Sequence, residues 1–318
     1  MESISELSHR QSGMISRQQA LAHGFADHDL RRLLRHNDLR AVHPGVYADH
    51  TGPLTWLQEA WAAVLYAWPA VLSHESAMRA AQPASRFASP ILREHHAIHV
   101  AIDHRRTVVS RPGIVIHRTH QFDERVQWNL SPPRMRLEEA AIDLAAAARC
   151  DLDAIGVLAG VVSARQTTAP RLLAALSRRS RVGRRTFLNG VLTDVTQGTC
   201  SVLEHGYLTL VERPHGLPRA VRQARPPGQE SLYRDVLYED FGQIVELDGR
   251  IFHAGPHQRD ADLDRDLDAA IDALASVRLG WGQVFDRACA TAAKIGRLLQ
   301  LRGWAGAPRP CPRCALAA

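Results

Sequence analysis

The sequence predicts a multidomain α+β chain. A winged helix-turn-helix is expected over residues 1–50, a mixed β and helical connecting region over 51–198, an α/β domain over 199–305, and a Pro-rich tail over 306–318. Three observations predict this. Two segments with helical apolar spacing, followed by a Pro-Gly hairpin, fill the first fifty residues. An Ala- and Leu-rich helical stretch runs from Pro133 to about Val195. From Cys200 the pattern changes to helix, hairpin, helix, short strand and helix, as in an α+β domain. With 318 residues, 45% hydrophobic and 23% charged, the chain has material for two or three cores and the composition of a globular protein rather than a disordered or fibrous one.

The first elements are SRQQALAHG, which opens on a capping serine and ends at Gly24, and ADHDLRRLLRHN, with Leu30, Leu33 and Leu34 at helical spacing. DLRAVHPGVYAD then reads as two strands around a turn. In a winged helix-turn-helix the second helix, about 26–36, presents Arg31, Arg32, Arg35 and His36 away from its leucines, and Arg40 lies on the wing. These arginines are candidate DNA contacts, to phosphates or base edges; the competing reading is a solvated helix face.

The middle region opens with the amphipathic helix LTWLQEAWAAVLYAW and continues into the strands AIHVAI and GIVIHR. His95, His96, His99, His104, His117 and His120 crowd this half without the spacing of a zinc site, so they read as partly exposed polar residues. The helical stretch carries Arg165, Arg171, Arg178, Arg179, Arg181, Arg184 and Arg185 with no acid among them. That basic stripe either links the two ends or lies on nucleic acid, with Arg178, Arg179, Arg184 and Arg185 as candidate contacts.

Other classes are disfavoured. MESISELSHR has acids and no apolar core of a signal peptide, and the longest apolar run falls short of the ~20 residues of a membrane span. A cytoplasmic protein is expected. The cysteines Cys150, Cys200, Cys289, Cys311 and Cys314 are scattered and odd in number, which fits free thiols better than a disulfide framework. CPRC is a lone C-x-x-C, whereas structural zinc takes four ligands and no second pair is near in sequence; half a zinc site completed by another chain is the zinc reading left open. The net charge of +6 permits a polyanionic partner without requiring one, and Lys294 is the one lysine among the basic residues.

The chemistry gathers in YRDVLYEDFGQIVELDG. With the turn at EDFG, Tyr238 faces Gln243, Leu237 faces Ile244, Val236 faces Val245 and Asp235 faces Glu246. Alternation puts Asp235, Glu246 and Asp248 on one face and Val236, Val245 and Leu247 on the other. Opposed carboxylates destabilise a sheet unless compensated. The compensator is either a divalent cation such as Mg²⁺, able to activate water against a phosphodiester, or Arg234 or Arg250. The run Asp260 to Asp272, interleaved with Arg259 and Arg265 above an apolar helix face, reads as a solvated helix.

Glu204 on a helix, Asp235 on a strand, and Glu246 and Asp248 on the next, followed by Gly249 and His253, resemble the PD-(D/E)XK nuclease superfamily. Within it the likeness is to very-short-patch-repair-endonuclease-like domains of unknown function, over about residues 199–305 including RDADLDRD and LGW. The resemblance implies a restriction-endonuclease-like α/β core in which Asp235 and Glu246 hold Mg²⁺ or Mn²⁺, Glu204 assists, and Asp248 and His253 lie beside them. Two departures stand out. Asp248 occupies the place of the usual lysine, leaving Arg250 and His253 as cationic substitutes, and Ser201 with Glu204 has the S-x-x-E spacing of a capping box. Independently, GMISRQQALAHGF with LRRLLRHNDLRAVHPGVYA resembles the winged helix of AbiEi-type antitoxins. Together the resemblances imply a protein acting on double-stranded DNA, either as a metal-dependent endonuclease or as a regulator of a type IV toxin-antitoxin system with a silent nuclease-like domain and a toxin partner. A third class, an interaction protein binding no nucleic acid, stays open beside them.

Overall fold

The computed structural model describes residues 4–81, 97–197, 201–224, 234–248, 275–312 and 314. They form two compact units, Met1–Leu144 and Ala145–Ala318.

The first unit begins with α1 (Ile4–Arg10), β1 (Met14–Ser16), α2 (Arg17–Ala22), α3 (Asp27–Arg35), β2 (Arg40–His43) and β3 (Val46–Ala48). Local chemistry sets these boundaries. The Gln19 amide donates to Ser16 Oγ at 3.2 Å and the Ser16 amide to Gln19 Oε1 at 3.0 Å, a reciprocal cap that starts α2. The Asp29 carboxylate accepts the Ala26 amide at 3.0 Å and so anchors the start of α3. Gly45, at φ +72°, turns the chain from β2 into β3. The three strands form an antiparallel sheet in the order β1-β3-β2. Gly13, at φ +86°, leaves room for the Asp49 carboxylate where a Cβ would otherwise sit. Ile15, Ala20, Leu30 and Tyr47 make the local core, with Ile4, Phe25, Leu34 and Leu39 packed against it.

The unit continues with α4 (Trp56–Tyr66), β4 (Val71–Leu72), α5 (His74–Ala80), β5 (Ile98–Asp103), β6 (Ile114–Thr119), α6 (Phe122–Arg125), β7 (Val126–Gln127), β8 (Arg134–Met135) and α7 (Leu137–Ala146). The five strands run in the order β6-β5-β4-β8-β7, with β5 and β6 parallel as a continuous in-register pair. The helix expected to be amphipathic, α4, is buried from Ala60 to Leu65 and at Gln58, so it is closer to a core helix than to a surface one.

The second unit contains α8 (Asp151–Ser163), α9 (Ala169–Arg178), α10 (Arg185–Gln197), α11 (Ser201–Gly206), β9 (Val221–Ala224), β10 (Arg234–Tyr238), β11 (Gln243–Leu247), β12 (Ala275–Leu279) and α12 (Ala288–Leu301). SVLEHGYLTLVER, expected as one α-helix, changes after Gly206 to π-helical winding over Tyr207–Glu212. The wider turn directs Tyr207, Val211 and Glu212 inward together, an outcome that 3.6-residue periodicity does not anticipate. A longer-range contact also holds the start of α11: Asp194, buried on α10, accepts the Val202 amide at 2.7 Å. The sheet is mixed, in the order β12-β11-β10-β9, with β11 and β12 parallel and the other pairs antiparallel. The expected acidic helix Asp260 to Asp272 lies outside the described residues.

Candidate functional site

In the first unit α3 places its apolar residues on the local core and its cations outward. Leu30 is 3% exposed, whereas Arg31, Arg32 and Arg35 are all exposed. Their spacing of three and four residues aligns Arg31, Arg32 and Arg35 along one face. Arg31 Nε donates to the Asp27 carbonyl at 3.2 Å, and Arg32 Nη2 lies 3.8 Å from the Asp29 carboxylate. The first-turn acids are themselves occupied. Arg17 makes a two-pronged contact to Asp27 at 2.8 and 2.6 Å, which holds the Asp27 carboxyl below its ordinary range, chiefly through the hydrogen bond. Arg40 is exposed on β2, and its guanidinium donates to the Gly52 carbonyl at 2.9 Å, which steadies it beside the hairpin. The result is a row of cations on a short, capped helix, backed by an apolar core and flanked by a two-stranded turn.

The arginine stripe of the second unit is less open than its sequence implies. Arg179 is 4% exposed. Arg185 donates to the Arg179 carbonyl, and Arg184 pairs with Asp151 and donates to the Ala148 carbonyl at 3.1 Å. These three tie α8, α9 and α10 together, and Arg178 is the exposed one of the four candidate contacts.

The carboxylate hairpin has the expected pairing at Val236–Val245, Leu237–Ile244 and Tyr238–Gln243. Val236, Val245 and Leu247 are buried, while Asp235 and Glu246 are half-buried on the opposite alternation. Asp235 Oδ2 accepts the Leu247 amide at 2.7 Å, which gives this carboxylate a structural use within the ladder. Glu246 is aligned in register with Arg278 on the parallel strand β12. The half-buried Asp248 donates its amide to the Leu279 carbonyl at 2.9 Å, extending the β11–β12 ladder. Glu204 lies half-buried on α11, and His253 and Arg250 lie outside the described residues.

Two other sets of ligand-type side chains come together, with their donor atoms within 4.8 Å of one another: His74 with His99 and His117, and His215 with Cys289, Cys311 and Cys314. Neither contains Glu204, Asp235, Glu246 or Asp248.

In the histidine set, His99 Nδ1 and His117 Nε2 are 2.9 Å apart, and His74 stacks on His117 at 3.7 Å between centroids. Burial lowers His117 from 6.5 to about 4, helped by His74 and His99 and opposed by Asp143 and Glu75. Because the folded value is the lower one, the unfolded chain takes up a proton first as pH falls. Stability is therefore retained above pH 6.5 and lost on descent toward 4. Thermal unfolding of the full chain should show its first-unit transition falling by roughly 2 to 4 °C per pH unit over that window, with a smaller slope in His117→Asn. Equal slopes in the two proteins would refute this role for His117.

The first unit thus opens with a small α-helical, β-hairpin module that displays arginine from its third helix. Residues 2–48, nearly all of that module, match the family model described as transcriptional regulator, AbiEi antitoxin. No curated protein matches the chain. Among the described residues, no helix is long and apolar enough to cross a membrane.

Sequence reasoning missed His215 and Cys289 as companions of CPRC, because they lie 99 residues before Cys314 and 22 before Cys311. It also missed a buried polar network in which Tyr207 and Tyr238 share a hydrogen bond at 2.9 Å, Tyr238 donates to Glu212 at 3.4 Å, and Arg222 pairs with Glu212. Burial pushes the Glu212 carboxyl above its ordinary value despite the Arg222 guanidinium, and it raises both tyrosines. The inward turn that assembles this network is the π-helical one, invisible to a helical-wheel reading.

Proposed function

We propose that this chain is a DNA-binding transcriptional regulator of the antitoxin type. Its N-terminal winged helix-turn-helix sets α3 in the major groove and the β2–β3 wing against the backbone of double-stranded DNA. The observation that carries the reading is the outward row Arg31, Arg32 and Arg35 on α3, within the stretch that matches the regulator family. Guanidinium groups at this spacing suit phosphate contacts and bidentate contacts to guanine. Arg40 supports the wing, and Arg178 is the residue of the basic stripe that adds a contact. A toxin partner encoded with the chain belongs to the same reading. Footprinting of DNA upstream of the gene with the full chain should reveal one discrete protected stretch; uniform cleavage along the fragment at protein excess would count against it.

In this reading the nuclease-like domain over about residues 199–305 is catalytically silent. Support comes from the Asp235 contact to the β11 backbone and from Asp248 in the lysine position. A plasmid-nicking assay with Mg²⁺ or Mn²⁺ should give no product above the buffer control. Metal-dependent nicking that disappears in Asp235→Ala and Glu246→Ala would overturn the silent reading and establish the endonuclease in its place.

A further inference from the structure

The C-terminal segment returns to the second unit and is held there by backbone and side-chain contacts. The Arg309 amide donates to the His215 carbonyl at 2.7 Å, and Gln300 Nε2 donates to the Gly306 carbonyl at 2.9 Å. Gly296 on α12 has no side chain where Pro308 lies against the helix. These contacts bring CPRC to the first turn of α12, which carries Cys289, and to the turn after the π-helical stretch, which carries His215.

The four donor atoms then make a compact set. Cys289 Sγ is 3.6 Å from Cys311 Sγ, Cys311 Sγ is 3.8 Å from Cys314 Sγ, and Cys314 Sγ is 3.6 Å from His215 Nε2. These separations are nearly twice the ~2.05 Å of a disulfide. They match three of the six edges of a zinc tetrahedron, and all four donor atoms lie within 4.8 Å of one another: Zn–S near 2.3 Å and Zn–N near 2.0 Å require S···S of about 3.8 Å and S···N of about 3.5 Å. His215 is 2% exposed, and its Nδ1 lies 2.9 Å from the Val211 carbonyl. That contact places the ring proton on Nδ1 and directs the Nε2 lone pair toward the sulfurs, as an oriented metal-binding histidine requires. Cys311 is 6% exposed, and all four positions are filled by protein ligands, which defines a closed structural site rather than a catalytic one.

We propose that His215, Cys289, Cys311 and Cys314 bind one zinc ion that clamps the C-terminal segment onto α12 and the turn after Glu212. Three thiolates and an imidazole favour zinc over magnesium or calcium, and the donor set owes nothing to the carboxylate hairpin. Binding deprotonates the cysteines and releases their protons to solvent, with no change in oxidation state.

The test is elemental analysis of the full chain purified under reducing conditions, together with the absorption spectrum after exchange into cobalt(II). The expected result is about one zinc per chain and the intense visible bands of tetrahedral, thiolate-ligated cobalt. Cys314→Ser and His215→Ala should each lower the zinc content retained after dialysis, and Cys150→Ser should leave it unchanged. The cobalt spectrum of the unaltered protein keeps the test decisive even where a variant folds poorly. Absence of zinc both as purified and after reconstitution, iron in its place, an octahedral cobalt spectrum, or a mass shift showing a Cys311–Cys314 disulfide would each overturn the proposal.

Discussion

Replacing Arg31, Arg32 and Arg35 together with alanine should weaken binding of the full chain to its upstream DNA by roughly 100-fold or more, the sum of three lost contacts at about 1 kcal/mol or above each. The three guanidiniums lie outside the local core, so unfolding of the first unit should be almost unaffected. The loss should have two components. Phosphate contacts show as a shallower dependence of affinity on salt, by about one in the log–log slope for each cation removed. Base contacts show as relaxed discrimination between duplexes. Lysine in place of all three should restore much of the salt-dependent binding and little of the discrimination, because an ammonium is a point charge without the bidentate fork. Unchanged affinity in the alanine protein, measured by fluorescence anisotropy, would remove α3 from the interface.

Arg222→Met should destabilise the second unit by about 3 to 5 kcal/mol, the usual cost of removing one partner of a buried ion pair. Glu212 has a side chain only 5% exposed, and Arg222 is its cationic partner, so its loss leaves a carboxylate among Tyr207 and Tyr238 with no guanidinium to offset burial. Arg222 also lies over the Tyr207 ring at 5.4 Å, an attraction lost in the same substitution. A unit of this size should respond with a transition lower by roughly 10 °C. Arg222→Met combined with Glu212→Leu should recover most of the loss, since an apolar pair of similar volume carries no desolvation penalty. If the double variant is no more stable than the single one, the ion pair is not what Arg222 contributes.

The parts of this fold legible in the sequence are those specified locally. Ser16 with Gln19, the leucines of α3 and the Pro44–Gly45 turn each write their own structure within a few residues, and the β10–β11 register follows from one short turn. What escaped was specified at long range. Asp194 caps α11 from another helix, Arg278 comes alongside Glu246 only through the parallel β11–β12 pairing, and His215 meets Cys314 across 99 residues. Composition misled in one place. An acid-free run of arginines reads as an open basic surface, yet Arg179 is buried and Arg184 and Arg185 bind carbonyls of their own unit, because arginine with its five donors also serves to join helix ends.

The central claim, sequence-specific DNA binding through the N-terminal module, is tested most directly by titrating the full chain against its upstream duplex and against a shuffled duplex of equal composition, at about 50 and 200 mM salt. The predicted result is tighter binding to the upstream duplex by about 1,000-fold, with both affinities falling steeply as salt rises. Equal affinity for the two duplexes, or no binding to either at the lower salt, would contradict it.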